Sequence, residues 1–436
     1  MQAFFYKNFK FFFECAILFL SIHYKEVFMN VEERFLRYAA CWTASEEHEE
    51  ESAPIPSTKC QFDLGQMLEK ELSALGLEKV VLTDHCYVYG LLPATPGYEE
   101  KPAVGFIAHM DTSPDYSGKD VKPQIIPSYD GGNILLKGSG ESIRVSDFPH
   151  LKDLTGRTLI TADGTTLLGA DDKAGIAEIL TAVEELMASG QPHGDIWIGF
   201  TPDEEVGRGA ELFDLDYFKA DFAYTLDGSY EGEVAFENFN AASARFSIRG
   251  KGVHPGEAKD VMVNAVLIAC EIQSMLPADE IPARTEGREG FYHLMDLKGD
   301  VTSAFSSYIV RDHDKCRFEA RKARLREIES QLNQTYGDGT VTLTLTDSYF
   351  NMKEIIDAHP DVVELARRAI TAAGLTPVSF PVRGGTDGAT LTFRGLPCPN
   401  LRTGGHAFHG PFEHVSVEGM ETAVQIIKNI ITFVAE

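Results

Sequence analysis

Cysteine is scarce and scattered in this chain of 436 residues: there are seven, placed singly from Cys15 to Cys398, with no C-x-x-C pair. An odd, dispersed set builds neither a disulfide framework nor a thiolate zinc site, and it fits reduced thiols in a cytoplasmic protein. Positive charge is also short, since 39 Lys and Arg against 66 Asp and Glu leave a formal charge of −27. Such a surface repels phosphate backbones and anionic bilayers, which argues against nucleic-acid and membrane partners. The N-terminal apolar run FFFECAILFL is interrupted by Glu14, and no small-residue cleavage site follows it. It is also shorter than the about 20 residues that a membrane-spanning helix needs. The 38 glycines show no period, which excludes collagen-like order. What remains, 44% hydrophobic and 24% charged residues, is the composition of a globular enzyme.

A chain of this length holds two or three domains of about 100–200 residues. Residues 1–28 read as an extension from upstream, with Met29 the expected start of the domain proper. NVEERFLRYAACWTAS then shows apolar residues at helical spacing. EEHEEESA at 46–53 reads as a solvated acidic turn. VGFIA (104–108), IWIGF (196–200), FAYTL (222–226) and PNLRT (399–403) read as strands. KAGIAEILTAVEELMA at 173–188 reads as a helix with Ile176, Ile179, Leu180 and Val183 on one face. Strands alternating with helices predict an α/β core, a mixed β-sheet flanked by helices. Between 238 and 348 the texture changes. ASARFSIRG, TSAFSSYIV and TVTLTLTD alternate with period two, with helical stretches near 261–276 and 315–335 between them. The expected division is therefore 29–237 with 349–436 as one domain, and 238–348 as an inserted α+β domain with an antiparallel sheet.

Charged chemistry collects where the first strands end. VGFIA runs into His109, Met110 and Asp111; IWIGFTPD runs into Glu204 and Glu205; FAYTL runs into Asp227. LLGADDKAG sets Asp171 and Asp172 just before a helix, and TGGHAFHGPFEH carries His406, His409, Glu413 and His414. In open α/β sheets, sites form beyond the carboxyl ends of strands. Taken singly, each residue has an ordinary explanation. Asp111, Asp171 or Asp172 fits a helix cap, Glu204 and Glu205 a solvated loop, and Gly384 and Gly385 a turn. Taken together, imidazoles and carboxylates without thiolate form the ligand set of a catalytic zinc or a related metal.

FIAHMDT, LLGADDKAG, TPDEEVG, TLDG, VHPGEAKDVMVNA, RTEGREGFYHL, YIVRDHD, RGGTDGA and CPNLRTGG-x-x-x-HG resemble, in order and spacing, the motifs of the peptidase T family. These are tripeptide aminopeptidases among the dinuclear zinc exopeptidases. The resemblance runs from Met29 to the C-terminus and leaves out residues 1–28. It implies two zinc ions per chain, one held by His109, Asp171 and Asp227, the other by Asp171, Glu205 and His409, with Asp171 bridging. It further implies that Asp111 accepts the other ring N–H of His109, that Glu204 is the general base, and that the Asp171–Asp172 peptide is cis. The inserted domain resembles the family's lid. His254 would help stabilise the oxyanion and Arg311 would take the substrate's C-terminal carboxylate, with Asn264 and Arg383 as further substrate contacts. An Arg fork suits that task because it binds two carboxylate oxygens at once. His406, Phe412 and His414 flank His409 where the family varies.

The expected function is release of the N-terminal residue from tripeptides, in the cytoplasm, with small peptides as partners and a homodimer left open. The alternatives are another di-zinc exopeptidase or deacylase (dipeptidase, carboxypeptidase, aminoacyl deacetylase), a metal-binding scaffold without turnover, or a protein attached to a membrane through residues 1–28.

Overall fold

A computed structural model describes residues 29–48 and 53–436. The N-terminal extension and half of the acidic turn, residues 49–52, lie outside the described residues. The runs read as strands, Val104–His109, Ile196–Thr201 and Phe222–Leu226, lie side by side at the centre of a seven-stranded sheet. Every residue in all three is buried, which explains their unbroken apolar texture, because both faces of the sheet are covered. Ile196–Thr201 and Phe222–Leu226 run parallel to Val104–His109 on either side of it. Asn400–Leu401 runs parallel to Phe222–Leu226 on its outer side, so four strands end at one edge of the sheet. Val88–Leu92 and then Glu78–Leu82 extend the sheet antiparallel on one side, and Val234–Ala235 closes the other. Of the PNLRT run, only Asn400 and Leu401 pair as strand.

The helix Ala170–Ser189 packs against Val104–His109 and Phe222–Leu226, and most of its side chains are buried. Close approach to the sheet depends on Gly175. A Cβ there would stand 2.3 Å from the Leu226 carbonyl and 2.6 Å from Asp172 Oδ1. The first turn is not regular: Asp171 and Asp172 have non-helical backbone angles and the peptide between them is cis.

The helix Val31–Ala39 starts in a capping box, in which Asn30 accepts from the Glu33 N–H and the Glu33 side chain accepts from the Asn30 N–H. This helix carries a fully buried arginine. Arg34 donates to Glu71 at 2.7 Å, to Glu184 at 2.6 Å and to Thr181 at 3.0 Å. Tyr38 OH also donates to Glu71, at 2.9 Å. Arg34 thus ties its own helix and the helix Gln61–Leu75 to the helix Ala170–Ser189.

The inserted segment forms a separate four-stranded antiparallel sheet, in the order Phe291–Gly299, Ser303–Asp312, Asn240–Arg249, Val341–Tyr349. Asn240–Arg249 alternates buried and exposed positions. Its inward Ala242, Ala244, Phe246 and Ile248 meet Ile268 and Ile272 of the helix Ala265–Ser274, and Phe318, Leu325 and Ile328 of the helix Lys315–Tyr336. Sequence patterning identifies three of these strands. Phe291–Gly299 escapes it, because this edge strand is half-buried along its middle and carries a bulge, so its residues do not alternate. Among the described residues no helix is long and apolar enough to cross a membrane, and the cysteines are free thiols.

The Arg34 cluster generates a stability prediction. Arg34→Ala strands Glu184 in the interior without its cation and leaves Glu71 only the half-exposed Arg37 at 3.2 Å, a loss of about 3–5 kcal/mol for a broken buried ion pair. Urea unfolding followed by circular dichroism is expected to show a midpoint shift of that size. A shift below about 1 kcal/mol would mean that the network adds no more than exposed pairs do.

Candidate metal centre

Four of the residues singled out from sequence sit where parallel strands end. His109 closes its strand, Glu204 and Glu205 lie in the turn after Ile196–Thr201, and Asp227 follows Phe222–Leu226. Asp171 enters from the distorted start of the helix Ala170–Ser189, and His409 from the loop after Gly405–His406. Their ligating atoms form two groups, His109 with Asp171 and Asp227, and Asp171 with Glu205 and His409, all within 4.8 Å of one another in each. Asp171 belongs to both. Its Oδ1 is 3.0 Å from His109 Nε2 and its Oδ2 is 3.5 Å from His409 Nε2. Glu205 Oε2 lies 2.9 Å from the same His409 nitrogen, and Glu205 Oε1 is buried with no hydrogen-bond partner.

Charge in this cluster is unbalanced. Burial pushes the Glu205 carboxyl up to about 7, and the neighbouring Asp171 charge adds to it. Asp227 is raised by burial and then by Asp171. Glu204 rises well above the ordinary range through burial, with Asp227, Asp387 and Glu205 contributing. Burial works in the same direction on Asp171, but hydrogen bonds from His109 and His409 overcome it and hold this carboxyl far below its usual value. Hydrogen bonds to Asp171 and Glu205 in turn push His409 up to about 11. Three acids and two imidazoles with an unpartnered inward oxygen fit a pair of divalent cations, and the absence of thiolate suits zinc or a related metal of catalytic sites.

Backbone donors hold the ligands in place. The Asp111 carboxylate accepts the N–H of Glu204 at 3.0 Å and of Glu205 at 3.2 Å, so it fixes the turn that carries both acids. Toward His109 its contribution differs from expectation. The nearest partner of His109 Nδ1 is the Asp111 carbonyl oxygen at 3.0 Å, with the carboxylate further away at 3.4 Å. A carbonyl only accepts, so Nδ1 carries the proton and Nε2 is left to face Asp171 and a metal.

Three residues to which pattern reading assigned no role complete the support. Glu413 accepts from the N–H groups of Leu168, Gly169 and Asp171 at 2.7, 2.8 and 3.0 Å, which orients the approach to Asp171. Arg402 donates to the Asp227 carbonyl at 2.9 Å while both oxygens of Glu233 hold its other nitrogens at 3.1 Å. Gly228, with φ of +116°, makes room for it, since a Cβ there would stand 1.9 Å from Arg402 Nη1. Asp387 is buried behind the centre and accepts from Thr201 Oγ1 at 2.7 Å. Each stands in a stretch already singled out, but nothing in linear spacing says that its side chain turns toward Asp171, Asp227 or Thr201.

Substrate-side expectations fare unevenly. His254 is exposed on the inserted domain, and its Nδ1 accepts from the Gly256 N–H at 3.1 Å. Asn264 caps the helix Ala265–Ser274 through the Val266 and Leu267 N–H groups. Neither lines the cavity at the metal centre. The Arg383 guanidinium is spent on Gly287 O, Glu289 O and Thr285 Oγ1, so in this arrangement it braces the 285–289 loop and does not offer itself to substrate. Arg311 is different. It donates once, to the Arg383 carbonyl at 2.8 Å, and its Nε is buried without a partner. Tyr349 lies over this guanidinium and packs on Gly385, which lines the cavity.

His406 and His414 stack with His150 at ring separations of 4.1 and 5.1 Å. The Phe412 carbonyl takes the His414 Nδ1 proton at 2.8 Å, so His414 Nε2 accepts from His150 Nε2 at 2.9 Å. The His414 ring is therefore neutral, and His406 and His414 stand at the two ends of the segment bearing His409. Burial drives His406 down to about 3 and His414 to about 4, with Arg157 and the neighbouring rings adding to the effect on His406, while Asp153 opposes a smaller fall in His150. These folded values lie below the unfolded value of about 6.5, so the unfolded chain binds more protons and stability falls as pH drops from about 6.5 toward 4. Melting temperature is expected to fall across that window, and less steeply in His406→Phe. Equal slopes in the two proteins would refute the assignment.

Similarity to known proteins extends over nine-tenths of the chain. The model of peptidase family M20/M25/M40 matches residues 163–432. Peptidase T of Clostridium perfringens is 53% identical over 408 residues, 93% of this chain and 99% of that protein. Peptidase T of Alkaliphilus oremlandii is 52% identical over 405 residues, with 92% and 98% covered. Among solved structures, aminopeptidase PepT from Bacillus cereus superposes with a TM-score of 0.74 at 25% identity, covering 93% of this chain and 98% of that one. A dinuclear metal-binding peptidase of family M20 from Bacillus subtilis shares the fold, at TM-score 0.62 and 13% identity over 93% of this chain and 97% of its own.

Proposed function

The chain belongs to peptidase family M20/M25/M40, in its peptidase T group, and on that premise we propose that it is a two-zinc aminopeptidase releasing the N-terminal residue of tripeptides. The observation that carries this reading is the sharing of Asp171 between two ligand groups that open, with Glu204, into one cavity of about 420 Å³. His109, Asp171 and Asp227 would hold one ion, and Asp171, Glu205 and His409 the other. Bound in pairs, such ions polarise a carbonyl and lower the pKa of a bound water toward about 7.

The chain's own residues supply the rest. Glu204 is half-buried beside the ligands and held to none of them by a hydrogen bond, so its carboxylate is free to take a proton from the attacking water and pass it to the leaving amine. Burial and neighbouring acids raise its proton affinity, which suits a group that accepts a proton and then returns it. Arg311, with one nitrogen unspent, takes the C-terminal carboxylate of the peptide. An extended residue spans about 3.3–3.6 Å, so a cation at fixed reach from the scissile carbonyl selects length.

Three measurements test this. Glu204→Gln is expected to lose about 10²–10⁴-fold in kcat while retaining its metal content. Wild-type turnover in that variant would remove Glu204 as the base. Asp171→Asn is expected to weaken both ions in a zinc titration, whereas His409→Ala weakens chiefly one; matching single-site losses would refute the bridge. Arg311→Ala is expected to flatten the preference for tripeptides over tetrapeptides, at a cost of about 1.5–3 kcal/mol per charge-assisted bond. A length preference that survives intact would place the selecting cation elsewhere.

A further inference from the structure

Both ring nitrogens of His409 face carboxylates. Its Nε2 lies 2.9 Å from Glu205 and 3.5 Å from Asp171, and its Nδ1 lies 3.5 Å from Oδ2 of Asp115. Asp171 and Glu205 belong to a ligand group, and Asp115 does not. Nor does Asp115 line the cavity at the metal centre. Its side chain is 71% exposed, so packing does not depend on it, and among the described residues His409 is its one ionic partner. An exposed pair of this kind adds little to stability. What it can do is orient a ring.

Two loops bring the pair together. Asp115 follows His109 and Asp111 in the loop that leaves the central strand. That loop is tied at Thr112, whose N–H donates to the Thr43 carbonyl at 3.1 Å, and at Ser117, whose carbonyl accepts from the Leu167 N–H at 2.9 Å on the approach to Asp171. The Asp115 N–H is turned onto Ser113 Oγ at 3.3 Å. On the other side, Ala407 and His409 both take left-handed backbone angles, with φ of +55° and +63°. Residues other than glycine hold that conformation where their surroundings fix it. Here it sets the His409 ring between Asp115 on one side and Asp171 and Glu205 on the other.

The two histidines of the centre are therefore backed differently. The buried His109 has a backbone carbonyl at its Nδ1, that of Asp111 at 3.0 Å. At His409 that place is taken by a carboxylate. A carboxylate only accepts, so it favours the ring with its proton on Nδ1 and leaves Nε2 to bind metal. We propose that Asp115 is a positioning residue for one metal ion alone, the ion held by Asp171, Glu205 and His409, and that it acts by fixing the ring and tautomer of His409. This rests on the two-zinc reading. Partners of this kind typically change metal affinity by about 10–100-fold, and a contact as long and exposed as this one belongs at the low end of that range.

The test uses the full-length protein and zinc itself, titrated against a chromophoric chelator, so that it reads metal affinity apart from turnover. Wild type is expected to take up two zinc ions. Asp115→Ala should weaken by about 10-fold the ion that His409→Ala also weakens, and leave the other as it was. Combining Asp115→Ala with His409→Ala should cost no more than His409→Ala alone, because Asp115 acts through that ring. Asp115→Asn should recover much of the loss, since an amide oxygen accepts the same N–H. The kcat that Asp115→Ala loses at limiting zinc should shrink as zinc is raised. Unchanged zinc affinity in Asp115→Ala, additive losses in the double variant, no recovery in Asp115→Asn, or a loss of kcat that does not respond to zinc would each overturn the assignment while leaving the two-zinc reading intact. A wild-type protein that takes up fewer than two zinc ions would overturn that reading and the assignment with it.

Discussion

The site depends on one constraint: buried negative charge packed more tightly than the protein's own cations can balance. Asp171, Glu204, Glu205, Asp227 and Asp387 meet where parallel strands end, and two histidines, His109 and His409, are what the chain sets directly against them. Left so, the acids raise one another's proton affinity, as Glu205, Asp227 and Glu204 all register. Such an arrangement is unfavourable unless cations complete it. The shared position of Asp171, one oxygen toward each histidine, is the geometry that makes room for two.

The rest of the fold keeps those acids from moving apart. Glu413 gathers three backbone N–H groups just ahead of Asp171, Asp111 caps the turn of Glu204 and Glu205, and Arg402 braces the carbonyl of Asp227. Behind them, Gly175 lets the helix Ala170–Ser189 lie close on the sheet, and Arg34 ties that helix to two others. The histidine stack closes both ends of the segment carrying His409. Side chains of three kinds thus serve one purpose, which is holding ligands whose mutual repulsion would otherwise spread them.

The inserted segment has its own core and its own sheet. Arg311 lies on this sheet yet reaches the Arg383 carbonyl on the other domain, so the residue proposed to fix substrate length also bridges the two. His254 and Asn264, on the same insertion, are occupied with local turns and caps and stand away from the cavity.

The sequence by itself determined the strands that end at the site and the identity of the acids and imidazoles that follow them. The reason is that strands buried on both faces are continuous apolar runs, and a polar residue straight after one has few places to go. Motif resemblance added the grouping of the five candidate ligands, which linear spacing alone leaves open. Only the tertiary structure decided what depends on direction. It turned the Asp111 carboxylate to the N–H groups of Glu204 and Glu205 more closely than to His109, and spent Arg383 on a loop. It also brought Glu413 to Asp171 from more than two hundred residues away, and stacked His150 on two histidines near the other end of the chain. Hydrogen bonds and ring contacts of that range depend on how whole elements pack, and no local pattern of residues encodes them.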